Sequence, residues 1–598
     1  MATSSTQQPS PAPAHQRAPA AGRLGDRLAT LAVALAAVAA AAWIFRLTRG
    51  LTFYNDEWEF VAQRGSGLSA ALEPHNQHIV LVPYLLYEAL FRVAGLAHYW
   101  PYRVMIIAVH VGIAVALFAY ARRRTGPVLA VIPPLILLFL GPAWEDILWP
   151  FQIGFLLPLL ASLGALLALD RGDAPGDAVA SSLLVIGVLS GSLAVCVSIG
   201  IAAELALGHQ PLRRLVRVLA APTVVYGAWY LMHRDDIAHY RALRKLAGFH
   251  DLPLTAIPHY VARALGQATG VMFSVPAAFG GAAVLVLGLL GLARIARDPR
   301  GSGRLIGLAV STLAYWTLTA IYRSENGIPP SRYIYVGTVF ILLLAIEAAR
   351  GIRVVPEAVA VACALATLVV VSNVSEMRAG ADRLHRFTDF VRPGLAAVDL
   401  AGSRADPTFT PLPAFAPWVT VRGYRRAVAA YGSPAMTPEQ VAATDVDARR
   451  NADAILVRAI RPTLSRMARP ARSGPPPVVS ALLGERVTTA RGCDVLTPQA
   501  ATGVAELRAP PAGLVLRAAK GAPVAVRLRR FAPDYAAPRP TGLARLFTLY
   551  GEFAGPTTLT VPGGSARALR LGRDRLARPW YVRLVATRPI LACTAARG

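Results

Sequence analysis

Apolar runs of about 20 residues recur along the first two thirds of the chain and alternate with short polar stretches. Such a run is long enough to cross the hydrocarbon core of a bilayer as a helix, whose backbone groups are satisfied internally. The pattern therefore predicts a polytopic α-helical membrane protein with about eleven transmembrane helices. The predicted spans are residues 28–46, 102–121, 128–143, 151–169, 178–193, 194–208, 215–232, 276–294, 304–321, 333–349 and 355–373.

Some of these assignments have alternatives in the same pattern. A cleaved signal peptide would also explain the first run, since small residues abound there. Residues 79–96 form a further apolar stretch, but Glu88 and Arg92 interrupt it, so an interfacial helix is favoured over a span. The short pair at 178–208 would also fit one long tilted helix.

The arginines between the runs predict an orientation. If residues 1–26 are a disordered basic tail in the cytoplasm, the later arginine clusters all fall on the cytoplasmic side, as the positive-inside rule requires. Residues 27–373 then form the membrane domain of a multi-pass protein of the plasma membrane. The predicted outside segments are the loops 48–100, 144–150, 233–275 and 322–332 and the extracytoplasmic tail 374–598.

The tail changes character along its length. Residues 374–477 are predicted to be mainly helical, with an amphipathic pattern over 438–467. From 478 to 598, short Val, Leu and Thr runs separated by Gly and Pro indicate strands of a small antiparallel β-sandwich, so the tail is predicted to be an α+β domain. An extracytoplasmic location allows a disulfide between Cys493 and Cys593.

Composition strengthens the membrane assignment and removes one class of partner. Hydrophobic residues make up 55% of the chain and charged residues only 16%. The net charge of +27 would fit a nucleic-acid-binding protein, but the basic residues are scattered and almost all are arginine, which indicates a coding bias. We therefore expect the lipid bilayer as a partner, and no nucleic acid.

The segment Phe53–Phe60 carries most of the candidate chemistry. It places Asp56, Glu57 and Glu59 just after the first predicted span, and a polar stretch follows at 73–78. Acids at the start of an interfacial helix, with aromatic residues at the headgroup level, would produce the same pattern. Carboxylates beside a low-dielectric region can also serve as general bases.

With these features the chain resembles the C-type glycosyltransferase (GT-C) superfamily, multi-span enzymes that use a polyprenyl-phosphate-linked sugar donor. The resemblance covers about residues 28–373, and the tail carries no motif of the family. The matching features are the Asp56-Glu57 pair opening a long outside loop, interfacial helices at about 57–72 and 79–96, Tyr102-Arg103 at the start of the second span, and Ser331-Arg332-Tyr333 where an outside loop enters a helix.

The resemblance implies roles for individual residues. Asp56 would act as general base or orient the acceptor hydroxyl, and Glu57 would assist it or hold the loop. Glu145 and Asp146 match a second acidic site in position, although a solvated loop would also carry them. Arg332 would stabilise the leaving phosphate, unless it is an interfacial arginine that reaches toward the headgroups.

Three further residues complete the predicted substrate site. Tyr333 belongs to the same motif as the candidate arginine. His75 and His78 would bind acceptor hydroxyls or satisfy loop carbonyls, and their segment departs from the His/Lys-Pro-Pro type sequence of many relatives. The resemblance requires no cofactor, and a divalent metal would fit if Asp56 converged with the second acidic site.

The resemblance implies inverting transfer of a sugar from a polyprenyl-phosphate donor to a cell-envelope glycan or lipid on the extracytoplasmic face. A transporter or flippase of lipid-linked precursors is one alternative, for which Glu204 would be the ionisable residue near a span. A non-catalytic envelope-assembly protein of the same fold is another. Aromatic residues of the tail would stack on a sugar or fill the core; they are Tyr535, Phe547, Tyr550 and Trp580.

Overall fold

The computed structural model describes most of the chain and divides it into two compact units. The described residues are 20–65, 67–246, 252–323, 331–351, 356–413, 415–466, 470, 475–490, 492–531, 558–571 and 578–596. The first unit takes its described residues from 1–47, 72–82 and 104–380, and the second from 48–71, 83–103 and 381–598.

Helices dominate the described residues up to position 460. In chain order, α1 to α19 are Ala20–Leu47, Glu57–Ala62, Leu68–Leu72, Leu81–Ala94, Trp100–Thr125, Ile132–Leu138, Trp144–Leu148, Ile153–Leu169, Ala174–Ser190, Leu193–Leu207, Leu212–Leu246, Ile257–Met272, Ala277–Arg297, Gly303–Arg323, Ser331–Ala348, Pro356–Ala401, Val421–Tyr431, Pro438–Ala442 and Val446–Ile460. The predicted outside loop 233–275 is therefore largely helical, since α11 and α12 fill much of it.

Eight helices within the described residues are long and apolar enough to cross a membrane. They are Leu24–Leu47, Trp100–Thr125, Pro150–Leu169, Leu212–Leu246, Ala277–Arg297, Gly303–Tyr322, Ser331–Ala348 and Ala360–Arg404. A ninth candidate is the pair Leu129–Leu138 and Gly141–Leu148, which is bent by 47°. Each predicted span falls on one of these helices, on the bent pair or on one of the shorter apolar helices α9 and α10. The prediction of a mostly helical chain with many long apolar helices is confirmed.

One local prediction about helices is wrong, and one alternative is excluded. The stretch 178–208 holds two helices, as the predicted spans have it, and not one long tilted helix, because α9 ends at Ser190 and α10 begins at Leu193. The predicted interfacial helix at 57–72 is divided into α2 and α3. Gly67 lies between them with a φ of +98°, a left-handed conformation that glycine adopts without strain. By contrast, α4 is continuous over its 14 residues, about 21 Å at 1.5 Å per residue, which is too short to cross the bilayer core.

Charged side chains join the helices of the first unit at their ends. Arg304 contacts Glu204 at 2.6 Å and Asp170 at 3.3 Å. Asp170 is also 2.9 Å from Arg124, which pairs in turn with Glu347. These pairs link α5, α10, α14 and α15 through mostly buried charges. Glu204 therefore belongs to an ion-pair network.

The second unit combines the region after the first long helix with the C-terminal tail. Gly423 in α17 lies so close to α2 that an added Cβ would be 2.9 Å from the Ala62 carbonyl oxygen. Arg426 donates to that same oxygen at 3.2 Å. The Leu96 N–H donates to the Tyr431 carbonyl at 2.9 Å. The helical part of the tail is thus packed against residues of the predicted first outside loop.

The tail ends in two antiparallel sheets, which confirms the predicted C-terminal β region. Strands β1 to β11 are Leu464–Ser465, Val478–Leu483, Glu485–Ala490, Cys493–Pro498, Gly503–Arg508, Leu514–Ala518, Val524–Arg529, Thr558–Val561, Ala566–Leu569, Tyr581–Ala586 and Ile590–Thr594. The six-stranded sheet has the order β1-β9-β6-β11-β4-β3, and the five-stranded sheet has the order β2-β5-β10-β7-β8. In the five-stranded sheet, alternate residues of β7 and β10 are buried, such as Val526, Leu528, Val582 and Leu584, so these residues mark its core face.

Candidate functional site

The acidic segment of the second unit begins with a left-handed turn. Asn55 has a φ of +47°, a conformation in which asparagine is enriched. Asp56 follows at the N-cap position of α2, where its side chain makes no capping hydrogen bond. This carboxylate is half-buried. The turn thus sets Asp56 and Glu57, neighbours in sequence, in different environments.

Glu57 is fully buried and its carboxylate is surrounded by donors. The Tyr87 hydroxyl donates to one oxygen at 2.6 Å, and the Tyr99 hydroxyl is 2.9 Å from the other. The Tyr54 backbone N–H donates at 2.7 Å. Burial, reinforced by the charge of Glu57, raises the pKa of both Tyr87 and Tyr99 well above the usual tyrosine value, so both remain protonated donors. Of the two predicted roles of Glu57, this geometry favours holding the loop.

Aromatic rings close around this carboxylate. The Phe53 ring lies 4.9 Å from Tyr99 and 5.1 Å from Tyr102, edge to face in both cases. The Trp58 indole N–H donates to the Phe53 carbonyl at 3.1 Å. Sequence reasoning missed these tyrosines as partners, because they are 30 and more residues from Glu57 and only the fold brings them close.

Glu59, the third acid of the segment, has a partner of its own. Arg64 contacts it at 3.1 Å and also donates to the Ala70 carbonyl at 3.1 Å. The same guanidinium lies 5.0 Å from the Phe60 ring centre, within cation–π range. Glu57 and Glu59 therefore both contribute to the local fold, and the role of Asp56 as general base stays a prediction.

The second predicted acidic site lies in the first unit, where α7 meets the start of α15. The Glu145 N–H donates to the Ser331 hydroxyl at 3.2 Å. The Arg332 N–H donates to a carboxylate oxygen of Glu145 at 3.2 Å, and the Arg332 guanidinium is 3.8 Å from that oxygen. Two residues that the sequence assigned to separate tasks, Glu145 and Arg332, are thus direct partners.

Asp146 differs from the adjacent Glu145 in its burial and its hydrogen bonding. Its side chain is fully buried. Neither carboxyl oxygen has a hydrogen-bond partner within the part of the chain that the structure describes. Leaving a buried polar group without a partner is costly, and such groups are rare in native proteins. Asp146 is therefore the residue of this site that most needs a functional explanation.

Tyr333 completes the predicted motif from the core side. Its side chain is buried, and its ring lies 5.5 Å from the guanidinium carbon of Arg332. The Tyr315 hydroxyl donates to the Tyr333 carbonyl at 3.2 Å. The Tyr333 ring thus lies beside the Arg332 guanidinium. The structure brings four of the predicted substrate residues together where α7 meets α15: Glu145, Asp146, Arg332 and Tyr333.

His75 and His78 form a tight turn in the first unit. Their backbones exchange hydrogen bonds of 2.9 and 2.8 Å, and Asn76 and Gln77 between them have φ values of +48° and +74°. His78 Nδ1 is 2.9 Å from the Ser192 hydroxyl. His75 Nε2 is 2.8 Å from the Asn76 side chain. Both imidazoles therefore have side-chain partners, and the sequence analysis did not predict these contacts.

The remaining predictions about the site concern metal, disulfide and aromatic residues. Within the described ranges, no three His, Cys, Asp or Glu side chains gather as metal ligands would. Cys493 and Cys593 form a disulfide between neighbouring strands β4 and β11. Trp580 is buried, with Arg530 5.2 Å from its ring, so it packs in the tail core. Tyr535, Phe547 and Tyr550 lie outside the described residues.

A scan against models of known protein families finds no match for this chain, and a search of curated proteins finds no relative.

Proposed function

We propose that this protein is a membrane glycosyltransferase that moves a sugar from a polyprenyl-phosphate donor to a cell-envelope glycan or lipid on the extracytoplasmic face. The observation that carries the proposal is the turn at Asn55, which follows the first long apolar helix and separates a half-buried Asp56 from a fully bonded Glu57. A general base must be accessible to the acceptor. The half-buried position of Asp56, beside the fully buried Glu57, supports Asp56 as that base.

The proposed chemistry is one displacement with inversion at the anomeric carbon. An acceptor hydroxyl attacks that carbon, the bond to the donor phosphate oxygen breaks, and Asp56 takes the hydroxyl proton. The electron pair of the broken bond leaves with the polyprenyl phosphate. For the first unit taken by itself, we propose Arg332 as the residue that binds a phosphate, since a guanidinium binds phosphate oxygens in a bidentate manner.

The neighbourhood of Arg332 supports a role in binding polar groups. Arg332 is half-buried, and its guanidinium lies 3.8 Å from a carboxylate oxygen of Glu145. Asp146, adjacent to Glu145, is buried and without a described partner. A sugar hydroxyl would supply the donor that the Asp146 oxygens need, and a phosphate would compete with Glu145 for Arg332. We assign no role to a metal.

The second unit bears on the proposed orientation of the chain in the membrane. Residues 48–71 and 83–103 fold in one compact unit with the tail. In a chain that spans a bilayer, such a unit occupies one side, and the arginine pattern favours the extracytoplasmic one. The N-terminus would then be cytoplasmic and the tail extracytoplasmic, in the plasma membrane.

The transport alternative has less support. Glu204, its best candidate, contacts Arg304 at 2.6 Å within a network of ion pairs that joins helix ends. A charge in such a network ties helices together, whereas a transport site needs ionisable groups facing a passage. A non-catalytic assembly protein of the same fold differs from an enzyme only by its lack of activity.

The test combines genetics with a defined substitution. Mass spectrometry of envelope glycans from a strain lacking this protein should show the loss of one sugar. Parent protein should restore that sugar, and Asp56→Asn should not, because removal of a general base costs about 100-fold or more in rate. Glu59→Gln is the matched control, since it also removes one carboxylate charge from the same segment.

Two outcomes would overturn the proposal. Full restoration of the missing sugar by Asp56→Asn would remove the assigned base. Loss of the sugar from the glycan in the deletion strain, accompanied by lipid-linked sugar accumulating on the cytoplasmic face, would indicate a flippase. Equal amounts of parent and variant protein in the membrane fraction must accompany either result.

A further inference from the structure

A second buried polar side chain follows Asp146 closely along the chain. Gln152 is only 3% exposed, and its amide oxygen has no hydrogen-bond partner within the described residues. The same holds for both carboxyl oxygens of the fully buried Asp146. Burying such a group without a partner is costly, and native proteins rarely do so. One short segment thus holds three buried acceptor atoms that gain no hydrogen bond from the described residues.

The chain between these two residues turns sharply. Helix α7 ends at Leu148, and Trp149 is extended, with a φ of −106° and a ψ of 109°. A short 3₁₀ turn, Pro150–Gln152, follows and leads directly into α8. This turn packs against α7, the helix that carries Asp146. Gln152 is therefore placed on the turn that contacts the helix of the other unpartnered residue.

Aromatic contacts tie this segment to other predicted substrate residues of the first unit. The Phe151 ring lies 5.1 Å from the His75 imidazole, edge to face. Four residues later, the Phe155 ring lies 5.9 Å from the Tyr333 ring, also edge to face. Gln152 therefore lies in sequence between two residues that contact predicted substrate residues, and it belongs to the same region of this unit.

The hydroxyl groups nearest to Asp146 have other acceptors. Tyr315 and Tyr335 both lie within electrostatic range of this carboxylate. The Tyr315 hydroxyl donates to a backbone carbonyl of α15 at 3.2 Å. His110 Nε2 is 3.4 Å from a backbone carbonyl of α6 and donates there, so Nδ1 of the neutral ring accepts from the Tyr335 hydroxyl at 2.8 Å. A donor for Asp146 therefore has to come from a bound molecule.

The charges around Asp146 restrict what that molecule is. Glu145 and Arg332 both lie within electrostatic range of Asp146, so an anionic ligand would meet two carboxylates, and a positive charge is already present. The atoms without partners are all acceptors, which require donors from the ligand. Neighbouring hydroxyl groups of one sugar ring supply such donors, and O–H···O⁻ bonds to a carboxylate are short and strong. A neutral sugar fits this arrangement best.

We propose that Asp146 and Gln152 together recognise neighbouring free hydroxyl groups on the ring of a neutral sugar. The inference rests on the proposed function, because the lipid-linked donor would bring that sugar, and it adds Gln152 as a residue that determines which sugar is bound. A site built to bond a hydroxyl discriminates strongly against an analogue that lacks it, since the buried acceptors of the protein are then left unpaired.

The test is equilibrium binding of the full-length protein, in detergent micelles, to the farnesyl phosphates of glucose, mannose and galactose. Farnesyl phosphate without a sugar measures the contribution of the chain and the phosphate. The farnesyl phosphates of glucuronate and glucosamine introduce a negative and a positive charge. We expect at least one neutral sugar to lower the Kd at least tenfold relative to farnesyl phosphate, and glucuronate not to lower it. No acceptor is present, so binding is measured without transfer.

Substitutions separate sugar recognition from phosphate binding. Gln152→Met keeps the length of the side chain and removes its amide, and Asp146→Asn removes the charge. Each should raise the Kd of the preferred sugar donor at least tenfold and leave that of farnesyl phosphate within twofold. Ser162→Ala is the matched control in α8, since the buried Ser162 hydroxyl already donates to the Pro158 carbonyl at 2.7 Å. It should change neither Kd more than twofold.

Monodeoxy forms of the preferred sugar identify the hydroxyl that Gln152 bonds. Removal of that hydroxyl should weaken binding to the parent protein but not to Gln152→Met, as in a double-mutant cycle. Without ligand, the midpoint of thermal unfolding of Gln152→Met should equal or exceed that of the parent protein, because no hydrogen bond of the amide oxygen is lost.

Three results would overturn the inference. Equal affinity for farnesyl phosphate and for every sugar donor is the first. A lower unfolding midpoint of Gln152→Met with unchanged sugar affinity would show a structural role. Tighter binding of the glucosamine donor than of any neutral one would assign the site to a cation. If the deletion strain nevertheless loses an envelope sugar, the transferase proposal stands and only this inference fails.

Discussion

Two acidic pairs, one in each unit, contain a fully buried carboxyl beside a half-buried one, and the two buried groups differ sharply. Glu57 accepts hydrogen bonds from two tyrosine hydroxyls and a backbone N–H. Asp146 accepts none from the described residues. The two buried carboxyl groups therefore contribute to the free energy of folding with opposite sign. Glu57 stabilises its surroundings, whereas Asp146 costs free energy unless a ligand donates hydrogen bonds to it.

The largest expected effect is on the stability of the second unit. Glu57→Ala leaves the hydroxyls of Tyr87 and Tyr99 buried without their acceptor, at about 1–3 kcal/mol for each group. We expect a clearly lower midpoint of thermal unfolding in detergent and faster proteolysis of the tail. Glu57→Gln keeps an acceptor oxygen and should lose less than half as much. A midpoint for Glu57→Ala equal to that of the parent protein would contradict the stabilising role of this carboxylate.

Substitution of Asp146 should leave stability unchanged and reduce sugar transfer, in contrast to Glu57→Ala. Asp146→Asn removes no hydrogen bond within the described residues, so the midpoint of unfolding should stay within the error of the parent value. If the Asp146 carboxylate binds the sugar, transfer should fall at least tenfold, mainly through a higher KM for the lipid-linked donor. Kinetics at several donor concentrations separate this from a loss of kcat. Lower stability with normal KM would make Asp146 a structural residue like Glu57.

The sequence predicted the coarse architecture because its signals are local. Apolar runs of span length, arginine between them and the change to short Val-rich runs after 478 each depend on neighbouring residues. The division of 57–72 was missed, because Gly67 lies where hydrophobic periodicity would continue the helix.

The candidate site was less accessible to sequence reasoning. The pattern identified Asp56-Glu57 and Glu145-Asp146 as acidic pairs, yet it could not tell which member of each pair would be buried. Tyr87 and Tyr99 are distant in sequence from Glu57, and Ser331 and Arg332 are more than 180 residues from Glu145. Partners of this kind are specified by tertiary packing, which a single sequence does not reveal.

Glu485 offers a smaller test of the same contrast, outside the membrane region. Neither of its carboxyl oxygens has a hydrogen-bond partner in the described part of the chain, and burial raises its pKa to about 7. The folded tail therefore binds a proton that the unfolded chain releases at lower pH, so stability should decrease as pH rises from about 4.5 to 7. Glu485→Gln should remove this slope from the midpoint of unfolding measured against pH. Glu439→Gln, at the exposed start of α18, is the control, and an equal slope in parent and Glu485→Gln proteins would show that an unpartnered carboxyl here has no cost.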